Sequence, residues 1–464
     1  MSGGAPAMSE SRAVVDENVF EIGFRERPSW WESVVLAVQN ILGMTGMFLF
    51  PGLIGQSFHL PPAVVAGLYG ATFVTCGLVT VLQGTFMLRL PIVMGPFAGT
   101  FAAILAAGHA AGLGAAFGSL FVASVLWALI SLPVAGGAVV GWLARVFDAP
   151  IVYAGILLIA MSFLSTISLS NWVGAPGQPG FGAANWVGGG VCVVTVLLSL
   201  LFGRGVVRRG AVLWGIALGT AAYSLFVPVS LSRIGQSGWL WVPHVFPFGF
   251  SVNPILVALF FLMLTTASCT ALSQYHLVSR WGNEDVGSTR MSAGIFTESV
   301  GAAVAAVVGG ISTTAYPDNV GILKVSRVGS VFVTVLAGAI LLVLGFVLKF
   351  DAVFVVIPPS VIAAAATVMF GMILVAAVGM LRDVQWDTIN SIVLGFPFMI
   401  SLGGLFVSPA TLQTYPLLLR TAIEQPILTG SLLIVVLHLA LNVGLRRLWA
   451  REGSPEAQAR ASVT

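Results

Sequence analysis

Long apolar stretches separated by short polar breaks dominate this chain. Mostly apolar runs fall near 33–50, 61–84, 97–109, 113–137, 150–169, 186–203, 210–228, 254–279, 291–308, 319–330, 330–349, 359–380, 388–407 and 427–447. A helix that crosses a bilayer needs about 20 such residues, and only helices and closed barrels satisfy every backbone polar group away from water. The runs predict fourteen membrane spans, although those near 97–109 and 319–330 are too short to cross alone as helix. Pro51, Pro61-Pro62, Asp148 to Pro150, the Gly/Pro-rich stretch from Gly174 to Gly182, and Pro358-Pro359 mark the boundaries.

Two places break the pattern at membrane depth. Pro91 to Phe101 reads PIVMGPFAGTF, and Ile311 to Gly321 reads ISTTAYPDNVG. Irregular backbone is tolerated there only where it is buried in protein or lines a cavity. A pair of interrupted spans in corresponding positions points to a transporter's binding site. These fall in the third and tenth spans, seven apart. That predicts two seven-span repeats, residues 31–230 and 252–448, which are inverted because seven is odd.

Composition agrees with a single membrane domain. Of 464 residues, 58% are hydrophobic and 8% charged, against roughly 25% charged in a soluble domain. An even number of spans puts both ends on one side. Of the 20 Lys and Arg residues, only Arg233, Lys349 and Arg420 then fall on the opposite side. The positive-inside rule makes the first side cytoplasmic, so a multi-pass plasma-membrane protein with both termini inside is expected. Residues 1–30 carry Glu10, Asp16, Glu17, Glu21 and Glu26 among arginines, with no apolar h-region. They read as a disordered cytoplasmic tail, not a signal peptide. Trp30 and Trp31 follow as interface anchors, and residues 449–464 form a second tail.

Candidate chemistry is sparse. Cys76, Cys192 and Cys269 sit in apolar runs without metal-type spacing and read as packing residues. There is no HExxH, GxSxG or P-loop, and no basic patch interleaved with aromatics. Enzymatic chemistry, a metal, a cofactor and nucleic-acid binding are therefore not expected. Ionisable residues inside spans are functional candidates by default. Asp318 lies at the break in the tenth span, where the positive end of a half-helix favours a carboxylate. It reads as an acceptor for substrate N–H groups, a proton site or an N-cap, roles that can coexist. Glu298, in the ninth span, reads as a proton relay or as a solvated residue near the span end. His276, closing the eighth span, reads as a titrating group or an interface residue. The eighth span also carries Thr265, Thr266, Ser268, Cys269, Thr270, Ser273 and Gln274, a polar row expected to face a cavity or the break in the tenth span. Gln39 and Asn40, adjacent amides in the first span, read as pins for the interrupted segments or as substrate contacts.

The stretch from Asp318 to Arg327, DNVGILKVSR, resembles the signature of the nucleobase–ascorbate transporter family: an acid or amide, Asn, any residue, Gly, four residues, Thr, then a basic or small residue. Asn319, Gly321 and Arg327 match directly, Asp318 stands for the acid or amide, and Ser326 for the threonine. Gln39-Asn40 resembles the family's first-span Gln-His pair. Further likeness runs through Phe147 to Pro150, Ile357-Pro358-Pro359, Phe370-Gly371 and Leu381-Arg382, covering most of residues 30–448. The resemblance implies a core of spans one to four and eight to eleven, and a gate of spans five to seven and twelve to fourteen. It also implies short antiparallel strands near Val93–Phe97 and Ser312–Tyr316, and a homodimer. The implied activity is symport of a nucleobase such as uracil or xanthine with a proton or sodium, by elevator-type alternating access. The implied site comprises Asp318 and Tyr316, backbone N–H groups near Phe97, Ala98 and Asn319, and an opposite wall of Cys269, Thr270 and Ser273. Asp318, Glu298 and His276 are its candidates for coupling.

One departure is conspicuous. The family carries a substrate-binding glutamate in the eighth span, but no carboxylate occurs from Pro254 to Ser279. An ungapped count places Cys269 there and Ser273 four residues on. Aligning His276 with the family histidine instead places Leu272 at the acid. Two other functions stay open: an anion carrier on the same architecture, and a membrane sensor or scaffold that transports nothing.

Overall fold

A computed structural model describes residues 19–133, 140, 149–178, 180–228, 240–347 and 357–446. Residues 1–18, Asp148, Arg233, Lys349 and the tail expected over 449–464 lie outside them. The first half of the chain contributes α1 (Trp30–Leu42), α2 (Thr45–Ser57), α3 (Pro62–Thr85), β1 (Met94–Pro96), α4 (Ala98–Ala111), α5 (Leu113–Ile130), α6 (Pro150–Val173), α7 (Ala183–Phe202) and α8 (Ala211–Ser224). The second half contributes α9 (Pro254–Trp281), α10 (Ser288–Val308), β2 (Thr313–Ala315), α11 (Pro317–Ser326), α12 (Val331–Leu344), α13 (Pro359–Met380), α14 (Thr388–Gly403), α15 (Leu417–Glu424) and α16 (Pro426–Leu437). Among the described residues, nine helices are long and apolar enough to cross a membrane, and α4, α8 and α12 are shorter apolar helices. The fold is a mostly helical, polytopic membrane type.

Sequence explains where these helices start. Pro62, Pro150, Pro254, Pro317, Pro359 and Pro426 occupy first-turn positions, where the fixed φ suits a helix and the missing N–H costs nothing. The Asn253 side chain accepts from Ile255 N–H at 2.9 Å and caps α9. Helices pair as α3 with α12, α5 with α10, α6 with α13, α7 with α8, and α14 with α16. Without a hydrophobic drive between helices in lipid, close backbone approach holds such pairs. A Cβ at Gly77 would lie 2.5 Å from the Leu342 nitrogen, so only glycine permits the observed α3–α12 contact.

β1 and β2 pair antiparallel, with Met94 opposite Ala315, Gly95 opposite Thr314 and Pro96 opposite Thr313. Strands this short leave polar groups at their edges, which must find partners in an apolar surround. Phe97 N–H donates to the Ser312 carbonyl at 2.9 Å, and Tyr316 N–H to the Val93 carbonyl at 3.2 Å. Four side chains serve the remaining groups. Val93 N–H donates to Asn319 Oδ1 at 2.8 Å, and Met94 N–H to Thr80 Oγ1 at 2.9 Å. Ala315 N–H donates to Glu298 Oε1 at 3.0 Å, and its carbonyl accepts from Gln274 Nε2 at 3.1 Å.

The N-terminal segment departs from expectation. Val19, Phe20 and Phe24 are buried, Phe20 packs edge-on to Trp281, and Glu21 N–H donates to the Arg327 carbonyl at 2.8 Å. Residues 19–24 therefore pack against α9 and the end of α11 instead of standing off as a tail. The segment's apolar residues are too closely mixed with charges to stand out as a run, yet they suffice to anchor it.

Candidate functional site

The two interrupted segments end in helix N-termini: β1 leads through Phe97 into α4, and β2 through Tyr316 into α11. A cavity with room of about 50 Å³ opens where they meet. One wall is Pro96, Phe97 and Ala98 from the first segment, with Thr314, Tyr316, Pro317 and Asp318 from the second. The facing wall is Leu164, Ser168 and Asn171 of α6, with Phe370 of α13, Ile427 of α16 and Phe50 of α2. Two converging N-termini give this spot positive potential, and Asp318 in the first turn of α11 sets a carboxylate against it. Asp318 is only 2% exposed. Gly95 lets the first wall close up, since a Cβ there would sit 2.5 Å from the Tyr316 ring.

Of the residues singled out from sequence, Phe97, Ala98, Tyr316 and Asp318 line the cavity. Asn319 does not. It donates through Nδ2 to Asn40 Oδ1 at 2.9 Å while its Oδ1 holds Val93, so it ties α1, α11 and β1 together. The N–H groups of Phe97 and Asn319 are committed to the carbonyls of Ser312 and Tyr316, which leaves Ala98, at the first turn of α4, as the expected backbone donor on the cavity wall. Gln39 is fully buried, and neither its Oε1 nor its Nε2 finds a hydrogen-bond partner among the described residues. The pinning thus runs through Asn40.

Cys269, Thr270 and Ser273 are buried but stand outside the cavity wall. Thr270 Oγ1 donates to the Thr266 carbonyl at 3.1 Å, and Ser273 Oγ to the Cys269 carbonyl at 2.9 Å. Each hydroxyl is satisfied by the preceding turn of its own helix. Glu298 is buried, which removes its reading as a solvated residue. Its Oε1 accepts from Ala315 N–H and from the Tyr275 hydroxyl, and its Oε2 from Thr314 Oγ1 at 3.1 Å. One hydroxyl, that of Thr314, therefore separates Glu298 from the cavity. His276 lies elsewhere. Its ring stacks on Tyr153 of α6 at 5.7 Å between centroids, and Arg280 Nη1 donates to the Tyr153 hydroxyl at 2.6 Å.

The α6 wall went unnoticed in the sequence. Its signal was there: Ser162, Ser165, Ser168 and Asn171 recur every third residue in an apolar run, a polar line that winds around the helix and brings its last two members to one face. Ser162 and Ser165 bond back to their own helix. Ser168 donates to the Ala363 carbonyl at 2.6 Å and joins α6 to α13.

Comparison with known proteins places this geometry. A profile described as a permease family, Xan_ur_permease, matches residues 32–410. The uric acid permease PucK of Bacillus subtilis is 27% identical over 425 residues, covering 89% of this chain and 96% of the relative. The xanthine permease XanQ of Escherichia coli is 22% identical over 457 residues, covering 95% and 97%. Among solved structures, that of SLC26A9 aligns with a TM-score of 0.52 at 11% identity, over 88% of this chain and 65% of that one, a likeness of fold alone.

Proposed function

The chain belongs to the xanthine/uracil-type permease family, a family of transporters and not of enzymes, and from that premise we propose that it carries a nucleobase-like heterocycle across the plasma membrane. The observation that carries this reading is the pairing, in one cavity, of a carboxylate acceptor with helix-terminal N–H donors between aromatic walls. A purine or pyrimidine base offers ring N–H groups to Asp318 and carbonyl oxygens to the first turn of α4, around Ala98. Its flat faces suit Phe97, Tyr316 and Phe370. The relatives named above favour an oxidised purine such as uric acid or xanthine, with uracil the smaller alternative. With no carboxylate from α9, Asn171 and Ser168 of α6 supply the facing polar groups. Neutral groups make recognition depend more heavily on Asp318.

The fourteen-span, inverted-repeat organisation over 31–230 and 252–448 belongs to the same proposal. Its support is internal symmetry. Exchanging the halves turns the α3–α12 pair into α10–α5 and the α7–α8 pair into α14–α16, maps α6–α13 onto itself and swaps β1 with β2. The cavity lies between the elements assigned to core and gate, as an elevator-type carrier needs. Both termini are assigned to the cytoplasm from the distribution of basic residues. Proton symport is the proposed coupling, with Glu298 and Asp318 as the groups whose occupancy changes. An acid in the cavity disfavours the anion-carrier reading.

The test is thermal unfolding of the purified protein against uric acid, xanthine, uracil and small anions. A ligand that binds the folded state raises Tm with concentration. A purine base is expected to raise it, with the shift lost in Asp318→Ala and the affinity weakened about fivefold or more in Phe370→Ala, since base–aromatic stacking is worth about 1–3 kcal/mol. A shift with an anion and none with any base overturns the reading.

A further inference from the structure

The two carboxylate oxygens of Glu298 have unlike surroundings. Oε1 accepts from Ala315 N–H at 3.0 Å and from the Tyr275 hydroxyl. A carboxylate oxygen has two lone pairs, so these donors fill it. Among the described residues, Oε2 accepts from Thr314 Oγ1 alone, at 3.1 Å. A proton bound by Glu298 therefore has its place on Oε2. The donors differ as well. A backbone N–H can only donate, whereas a hydroxyl can turn acceptor if its own proton finds another oxygen. Thr314 has that second oxygen, since the Ala267 carbonyl of α9 stands 3.5 Å from its Oγ1. Of the three donors to Glu298, Thr314 is also the one that lines the cavity. The cavity's room of about 50 Å³ is enough for water.

We infer that Thr314 is a positioning residue whose hydroxyl relays protons between the cavity and Glu298 by switching between two acceptors. The inference rests on the proposed coupling role of Glu298 and supplies its route. With Glu298 ionised, the Thr314 O–H donates to Oε2. On protonation, a hydrated proton in the cavity is taken up at Oγ1 while the proton already there passes to Oε2. The new Glu298 O–H then donates to Oγ1, and the Thr314 O–H turns to the Ala267 carbonyl. Glu298 gains one proton, Thr314 gains none, and no buried O–H is left without an acceptor. The bond between β2 and α10 persists with its direction reversed, so the strand crossing survives both states. Few other groups compete for the proton. Among the elements packed on α10, α5 and β2 bring no titratable residue, α3 brings Tyr69 and Cys76, and α9 brings Cys269, Tyr275, His276 and Arg280. Of these only Tyr275 bonds Glu298 among the described residues. On α10 itself, Arg290 is held by Glu284 and the Leu88 carbonyl. Glu298→Gln does not reproduce the protonated state, because its amide brings two N–H groups and Thr314 can take one.

Proton uptake is read without nucleobase, so its outcome is independent of which solute is carried. The full-length protein in maltoside detergent receives a pH jump from a caged proton, and the infrared carboxyl band that Glu298→Gln removes is followed in time. In the wild type the band is expected to rise. In Thr314→Val, which keeps the shape of the side chain and removes its hydroxyl, it should rise about tenfold more slowly or worse, as loss of a positioned proton-transfer group predicts. Thr314→Ser should recover most of the rate. Should Thr314→Val fold poorly, Thr314→Ala set against Thr314→Ser gives the same readout. A rate unchanged in Thr314→Val, or as slow in Thr314→Ser, overturns the relay and leaves Glu298 as a coupling group. Absence of any Glu298 band that follows pH overturns the coupling reading, and the relay with it.

Discussion

Asp318 and Glu298 divide between them what a buried carboxylate can do at a strand crossing. Asp318 faces the cavity at the start of α11, whereas Glu298 accepts from Ala315, Tyr275 and Thr314 and holds β2 in place. Because Thr314 also lines the cavity, Glu298 is coupled to it through a single hydroxyl. Glu298→Gln puts an amide N–H where an acceptor is needed. It should cost about 1–3 kcal/mol, the penalty for leaving a buried polar group unsatisfied, and lower Tm. It should also abolish gradient-driven accumulation in vesicles while leaving exchange of substrate across the membrane; undiminished accumulation would exclude Glu298 from coupling. Asp318 could be found from sequence because an acid beside Pro and Gly in an apolar run has few bland explanations. Glu298 could be found too, but not its partners, because nothing local says that residues sixteen and seventeen positions on return to meet it.

The strand crossing is the element on which the cavity depends, and it was foreshadowed by composition: small, polar and proline residues where helix was due. What sequence could not supply is the identity of the side chains that satisfy its edges, Thr80, Gln274, Glu298 and Asn319, drawn from four separate helices. The polar row on α9 reaches this crossing through Gln274, but most of its hydroxyls do not. In a low-dielectric surround each hydroxyl must bond, and the nearest acceptor is a carbonyl one turn back, which Thr265, Thr266, Thr270 and Ser273 all use. Polar density therefore marked self-satisfied hydroxyls and, through Gln274, the break in the tenth span, but no part of the cavity wall. Gly95 tests the crossing directly. Gly95→Ala brings a methyl into the Tyr316 ring and should destabilise by about 1–3 kcal/mol, as overpacking does. Combined with Tyr316→Ala, the two effects should be far from additive in a double-mutant cycle of Tm. Additive losses would mean that the strands do not meet as described.

At the scale of the whole molecule, hydrophobic patterning made the polytopic class and the helix positions legible, because lipid imposes one requirement on every span. The packing of α6 and α13 across the cavity was not legible, since contacts between distant spans leave only a weak stripe such as Ser168 and Asn171. Tyr153, bonded to Arg280 and stacked on His276, joins α6 to α9 at a distance from the cavity. The proposed elevator-type movement would have to break this contact. Counterflow in proteoliposomes tests the central claim most directly, because it needs no coupling ion and reads carriage itself. Vesicles loaded with unlabelled uric acid or xanthine should transiently accumulate the labelled base from outside, and those bearing Asp318→Ala should not. Absence of counterflow with every nucleobase, or equal counterflow in the Asp318→Ala protein, would contradict the account.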